Sequence, residues 1–227
     1  MNLAPALLPH SLNLLAWLLL LALLIRNACC VRWRVLARHP QTLHIFFFGV
    51  LCLAFLAALR IGTQPGLWLH LSGITAATLI MGRRLALLAG TLALLLLVAT
   101  GRETFSTLAA HALLFVALPA YVSYGFCRLL QKILPHNPFI FTLGAGFFGG
   151  ILALAATMLG VSLLLAASGL YGWPLLWDKY LKFLPIVIYP EGFLNGLLVT
   201  VMVAFHPHLL SAFNPDSYFN SQRPQKD

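Results

Sequence analysis

Charge is what this sequence has least of. Only 8% of its 227 residues are Asp, Glu, Lys or Arg, and only five are acidic. An ordinary soluble domain carries about 25% charged residues. With 61% hydrophobic residues and a mean hydropathy of +0.92, the composition excludes a water-soluble globule and a disordered chain. Cysteine is scarce too. Cys29 and Cys30 are adjacent, while Cys52 and Cys127 stand alone in apolar runs, so neither a disulfide framework nor metal-binding spacing is present. Catalytic and nucleotide signatures are missing: there is no His-Glu-x-x-His, no Gly-x-Ser-x-Gly and no phosphate-cradling glycine loop ending in Lys-Ser or Lys-Thr. The chain reads as a non-enzyme, and any ATP-driven work has to come from a partner chain.

What is present is a series of apolar runs, at 8–25, 42–59, 67–81, 85–100, 105–127, 139–168 and 185–205. A helix needs about 20 residues to cross a bilayer. In lipid only helices and closed barrels satisfy their own backbone. The expected fold is therefore an all-α polytopic membrane protein of about seven transmembrane helices. A single membrane domain would cover 1–210, with a polar cytoplasmic tail at 211–227. The third and fourth runs are short and read as a tight helical hairpin turning at Gly82-Arg83-Arg84. One merged span would bury both arginines, at about 3 kcal/mol each on insertion scales.

The net charge of +9 reads as topology rather than nucleic-acid binding, because the basic residues sit between apolar runs. Arginines follow the first run instead of preceding it, the reverse of a cleavable signal. With the N-terminus outside, the inner side carries Arg26, Arg32, Arg34, Arg38, Arg83, Arg84, Arg128, Lys132, Arg223 and Lys226, and the outer side Arg60, Arg102, Lys179 and Lys182. This split favours an outward N-terminus and a cytoplasmic C-terminus, in the plasma (inner) membrane. Residues 171–183, rich in aromatics and Lys, read as an outer interfacial segment. Gly-x-x-x-Gly spacing occurs at Gly146–Gly150 and Gly192–Gly196, for close helix packing inside the chain or between subunits.

Ionisable residues within apolar runs are the place to look for function. Glu191, between Pro190 and Gly192, needs a cation, a His or a proton as partner; its bland alternative is a helix cap. His70 and His111 fall in the same outer half, with His10 before the first run and Glu103 in the loop before the fifth. Imidazole with carboxylate suits a first-row transition metal, although each His alone also fits polar packing. The candidate metal ligands are His70, His111, Glu191 and His10. His206-Pro207-His208 reads as a solvated inner cluster.

Two stretches carry a family resemblance. Gly66-Leu67-Trp68-Leu69-His70-Leu71-Ser72-Gly73, continuing to Ala76 and Gly82, resembles the His-Leu-x-Gly-x-x-x-Ala-x-x-x-x-Gly helix of the cobalt/nickel permease family. Leu184-Pro185, Glu191-Gly192 and Thr200 resemble that family's final helix. These permeases are the membrane substrate-binding subunits of energy-coupling-factor ABC transporters. The resemblance implies a permease for a divalent transition metal ion (Ni, Co or Zn), bound as cargo rather than as a permanent cofactor. It also implies a coupling transmembrane subunit and cytoplasmic ATPase subunits as partners, and assigns His70 as a ligand. The chain departs from the family at its start, Met1-Asn2-Leu3, where Asn2 cannot supply the family's imidazole. His111 is a candidate replacement. The other readings are a membrane haem protein with His70 and His111 as axial ligands, and a non-transporting metal sensor or assembly partner.

Overall fold

A computed structural model of the chain describes residues 9–38, 40–64 and 67–219. Asn2, His39, Gly66, Arg223 and Lys226 lie outside the described residues. Among those described, the order is α1 (His10–Cys30), α2 (Trp33–Arg38), α3 (Pro40–Ala58), β1 (Arg60–Gln64), β2 (Leu67–His70) and α4 (Ile74–Ala99). Then follow α5 (Phe105–Ile133), α6 (Pro138–Ala167), α7 (Trp173–Lys179), α8 (Leu184–Phe205) and α9 (Pro215–Phe219). The chain is an all-α polytopic membrane protein, with six helices among the described residues long and apolar enough to cross a membrane. Phe47, Phe48, Leu51 and Phe55 on α3 are all exposed, as befits a helix facing lipid.

The difference from seven expected spans lies in the run 67–81. It is not one helix. Leu67–His70 is a strand paired antiparallel with Arg60–Gln64, His70 standing opposite Arg60. Only at Ile74 does a helix begin, and it is interrupted at Gly82, whose φ of 81° and ψ of 151° are not helical. The two arms of α4 fold back on each other. A Cβ on Gly90 would come within 3.1 Å of Ile74 Cδ1, whereas sixteen residues along a straight helix are about 24 Å apart. The hairpin expected at Gly82-Arg83-Arg84 is therefore present, but its first arm is a half-helix. Residues 74–81 span about 12 Å, under half the hydrocarbon thickness. From Ile74 to Leu79 every residue of this arm is buried.

A helix this short leaves most of its terminal backbone groups without intrahelical partners. Other parts of the chain supply them. At its far end, the Ser211 N–H donates to Ile80 O at 2.8 Å and the Ala212 N–H to Leu79 O at 3.1 Å. Leu210, Phe213 and Tyr218 pack with Leu79, Phe141 and Val203 in one apolar cluster. The segment after α8, expected to be a polar tail from 211, is thus docked as far as Phe219.

The two ends of the bundle differ in chemistry. One holds the Gly82 turn, with Arg83 over the rings of Tyr121 and Tyr124 and Arg84 Nη1 donating to Cys30 O at 2.8 Å. The other holds the strand pair, the Glu103 loop and α7. There Leu176 and Tyr180 are buried beside Phe115 and Leu69, so the 171–183 segment does sit at the His70 end. The glycine pairs serve packing inside the chain. A Cβ on Gly146 would lie 3.2 Å from Gly196 Cα, and one on Gly192 would lie 3.0 Å from Phe147 O, so α6 and α8 touch backbone to backbone.

Candidate metal site

Three devices place polar side chains at the strand-pair end. The first is the strand pair itself, which holds the backbone of His70 against that of Arg60. The second is the stop of α4. Gly101, with φ 70°, reverses the chain, and the Arg102 and Glu103 N–H groups donate back to Leu97 O at 2.9 and 3.2 Å. This glycine-terminated helix end turns Glu103 inward, and it is buried. The third is in α5, where the turn after His111 widens into a π-helical stretch, Ala112–Ala117. Such stretches recur at functional sites because they re-aim neighbouring side chains. Phe115, within it, packs its ring 4.9 Å from that of His70 and 5.7 Å, edge on, from that of His111.

The result is one small cavity lined by His70, Glu103, His111 and Phe115, with Leu94 and Leu97 of α4, and about 20 Å³ in volume. That is room for a single ion or water. His111 Nδ1 lies 3.1 Å from Glu103 Oε2, and both side chains are nearly fully buried. Glu103 stands between the spanning segments. Burial raises its carboxyl, while the hydrogen bond and charge of His111, followed by the charge of the N-terminal amine, act the other way, and the net value is low, at about 2. It is a carboxylate at neutral pH.

Glu191 is placed differently. It is 1% exposed and sits over the N-terminus of the α4 half-helix. Its Oε2 accepts from the Ser72 N–H at 2.8 Å; its Oε1 accepts from Ser72 Oγ at 2.7 Å, the Gly73 N–H at 3.0 Å and Asn195 Nδ2 at 2.7 Å. Asn195, one turn further along α8, accepts from the Ala76 N–H through Oδ1 at 2.7 Å and donates to the Glu191 carbonyl at 2.8 Å. An anion at a helix N-terminus is favoured by the unpaired N–H groups and by the helix dipole. The Glu191 carboxyl group thus caps the N-terminus of the broken helix.

Of the four candidate ligands, the structure brings His70 and His111 to one cavity. Glu191 is two residues from His70 through Ser72 but does not line that cavity. His10 is exposed at the start of α1. The carboxylate at the cavity is Glu103, which the sequence placed at the right depth but not in the ligand set. Among the described residues, no three His, Cys, Asp or Glu side chains converge closely enough to hold a metal ion as they stand.

No curated protein sequence matches the chain significantly. Two solved structures share the fold. A crystal structure of a truncated transition metal transporter superposes with a TM-score of 0.73 at 18% identity, over 88% of this chain and 96% of its own. One of a transition metal transporter gives 0.74 at 17% identity, over 87% and 90%. A family model for the cobalt uptake substrate-specific transmembrane region, CbiM, matches residues 2–209. That family is a transport component and not an enzyme, in line with the missing catalytic motifs. Nearly the whole chain thus belongs to the CbiM family, and the protein is a multi-pass membrane component of a metal transporter.

Proposed function

We propose that the chain is the substrate-capturing membrane subunit of an energy-coupling-factor type ABC transporter that takes up a divalent transition metal ion, cobalt, nickel or zinc. It works in the plasma membrane with a separate coupling subunit and cytoplasmic ATPases. The strand-pair end faces outward and the arginine end faces the cytoplasm, the orientation the distribution of Lys and Arg favours.

One observation carries the reading: His70 and His111 line a single ion-sized cavity, with the Glu103 carboxylate 3.1 Å from His111 Nδ1 at its wall. A carboxylate on one ring nitrogen orients an imidazole and raises its basicity, which tunes it as a metal ligand. His70 and His111 are then ligands and Glu103 a positioning residue. Glu191 holds the half-helix that follows His70. An inward release would follow from movement of that half-helix about Gly82, driven by the partner subunits.

The haem reading finds no support here. A cavity of about 20 Å³ cannot admit a porphyrin, since pockets for ligands of that size run to roughly 300 Å³ and more. Copurification of ATPase subunits would favour transport over a sensor role.

The test is metal content of detergent-purified protein under non-chelating conditions, for Ni, Co, Zn, Cu and Fe. Wild type should carry stoichiometric metal, His70→Ala and His111→Ala should lose it, and His10→Ala should keep it. Metal-free wild type, or metal retained in His70→Ala, would overturn the site.

A further inference from the structure

The opposite end of the bundle carries a charge arrangement that metal capture does not use. Tyr121 and Tyr124 lie one turn apart on α5 and share one helix face. Three guanidinium groups from three helices surround them. Arg26 of α1 donates to Tyr121 Oη at 2.7 Å. Arg83 of α4 lies 5.1 Å from the Tyr121 ring centre and 4.7 Å from that of Tyr124. Arg128 of α5 lies 6.0 Å from the Tyr124 ring. Like charges gathered on two rings repel one another, and cation–π contacts of about 1 kcal/mol offset this only in part.

Among the described residues, no carboxylate pairs with them. At the strand-pair end, Asp178 takes up Lys179 at 2.9 Å and Lys182 at 2.5 Å. Glu103 pairs with His111, and Glu191 is sealed under the half-helix. Among the described residues, no acidic group comes within ion-pair distance of Arg26, Arg83 or Arg128. Among the described residues, the array therefore has more charge-assisted donors than acceptors, Tyr121 Oη taking one of them and no carboxylate any.

Its surroundings say what kind of anion fits. Ile25 and Leu129, each adjacent in sequence to an arginine of the array, are 62% and 51% exposed. Trp33, half-exposed just beyond α1, donates from Nε1 to Ala28 O at 2.8 Å. Apolar surface on one side and an anchored Trp on the other mark the depth of lipid headgroups. We propose that Arg26, Arg83 and Arg128, arrayed on Tyr121 and Tyr124, bind the phosphate of an anionic phospholipid whose acyl chains lie along α1 and α5. The site is independent of which metal the protein carries, and of whether it carries one.

The experiment titrates the full chain in neutral detergent with phosphatidylglycerol, phosphatidylcholine or inorganic phosphate. It follows thermal stability and the lipid retained in native mass spectrometry. Phosphatidylglycerol should bind at least about tenfold tighter than phosphatidylcholine. Arg26→Gln and Arg83→Gln should each weaken it about fivefold, the worth of one interfacial arginine. Arg34→Gln, at the same end but outside the array, should leave it unchanged. Arg26 is exposed, so its variant reads the site even if Arg83→Gln fails to fold. Equal binding of the two lipids would overturn the proposal, as would an equal loss in Arg34→Gln, which would mean diffuse surface charge. An equal effect of inorganic phosphate would assign the array to a free anion. Indifference to all three, with stabilisation only by a partner subunit, would assign it to a protein contact.

Discussion

Glu191 of α8 and Ser72, the residue before the N-cap of the α4 half-helix, meet twice: Glu191 Oε2 accepts the Ser72 N–H at 2.8 Å and Oε1 accepts Ser72 Oγ at 2.7 Å. The pair ties the last helix to the segment that carries His70. Glu191→Gln would replace one acceptor oxygen with an amide that faces donors. It should lower stability by about 1–3 kcal/mol, the range for a buried donor left unsatisfied, and Glu191→Ala by more. Metal stoichiometry at saturating metal should be unchanged in the Gln variant. Thermal unfolding in detergent, paired with metal analysis, checks both. Unchanged stability with metal lost would return Glu191 to the ligand set.

Gly82 has to be glycine on two counts. Its φ of 81° is a left-handed conformation, and a Cβ there would stand 2.9 Å from Ser211 Oγ. With ψ at 151° this is a region adopted almost only by glycine, so backbone strain alone is worth about 1–3 kcal/mol for an L side chain, and Ser211 is the residue that caps the half-helix from below. Gly82→Ala should therefore destabilise more than alanine at Gly125, where a Cβ meets nothing within 4 Å. A matched pair of melting curves is the measurement, and equal melting temperatures would mean that the turn relaxes freely.

Much of this architecture is legible in the sequence because lipid imposes strict rules on it. Long apolar runs with arginines only at their ends leave few alternatives to spanning helices. The same reasoning about Arg83 and Arg84 finds the α4 hairpin. The strand pair at 60–70 is not legible, because a short apolar stretch such as Leu67–His70 fits a strand or a helix equally well by periodicity. Nor is the role of Glu191. Two of its four donors are the backbone N–H groups of Ser72 and Gly73, just before a helix that starts late, and backbone donors leave no mark on residue identity. Shared depth singles out His70 and His111, and depth is also what Glu103 has. What decides its place beside His111 is the reversal at Gly101, a local turn whose direction follows only from the fold.

The contact between α6 and α8 is closer than side chains allow. A Cβ on Gly196 would lie 3.3 Å from Phe147 Cα and 3.4 Å from Phe147 N, against backbone that cannot rotate away. Gly196→Leu should force the helices apart and displace Asn195 and Glu191 on the same helix. It should reduce the yield of folded protein and loosen the half-helix. Amide hydrogen exchange over residues 74–81 should accelerate in the variant, and unchanged protection there would uncouple the glycine contact from the cap.

Glu103 offers a test by pH, and its sign is fixed by the direction of its shift. The folded carboxyl titrates at about 2 against an ordinary 4.5. A depressed folded value means that the unfolded chain takes up the proton first. The stability Glu103 contributes is then fully present above about pH 4.5 and is lost as pH falls towards 2. Glu103→Gln should be less stable than wild type at pH 7, because His111 loses its charged partner. The gap should shrink below pH 4.5 and close near pH 2. Melting temperatures of both proteins from pH 7 down to pH 3 measure that gap. A gap that stays constant across the range would mean that Glu103 contributes by packing alone, and that His111 does not feel its charge.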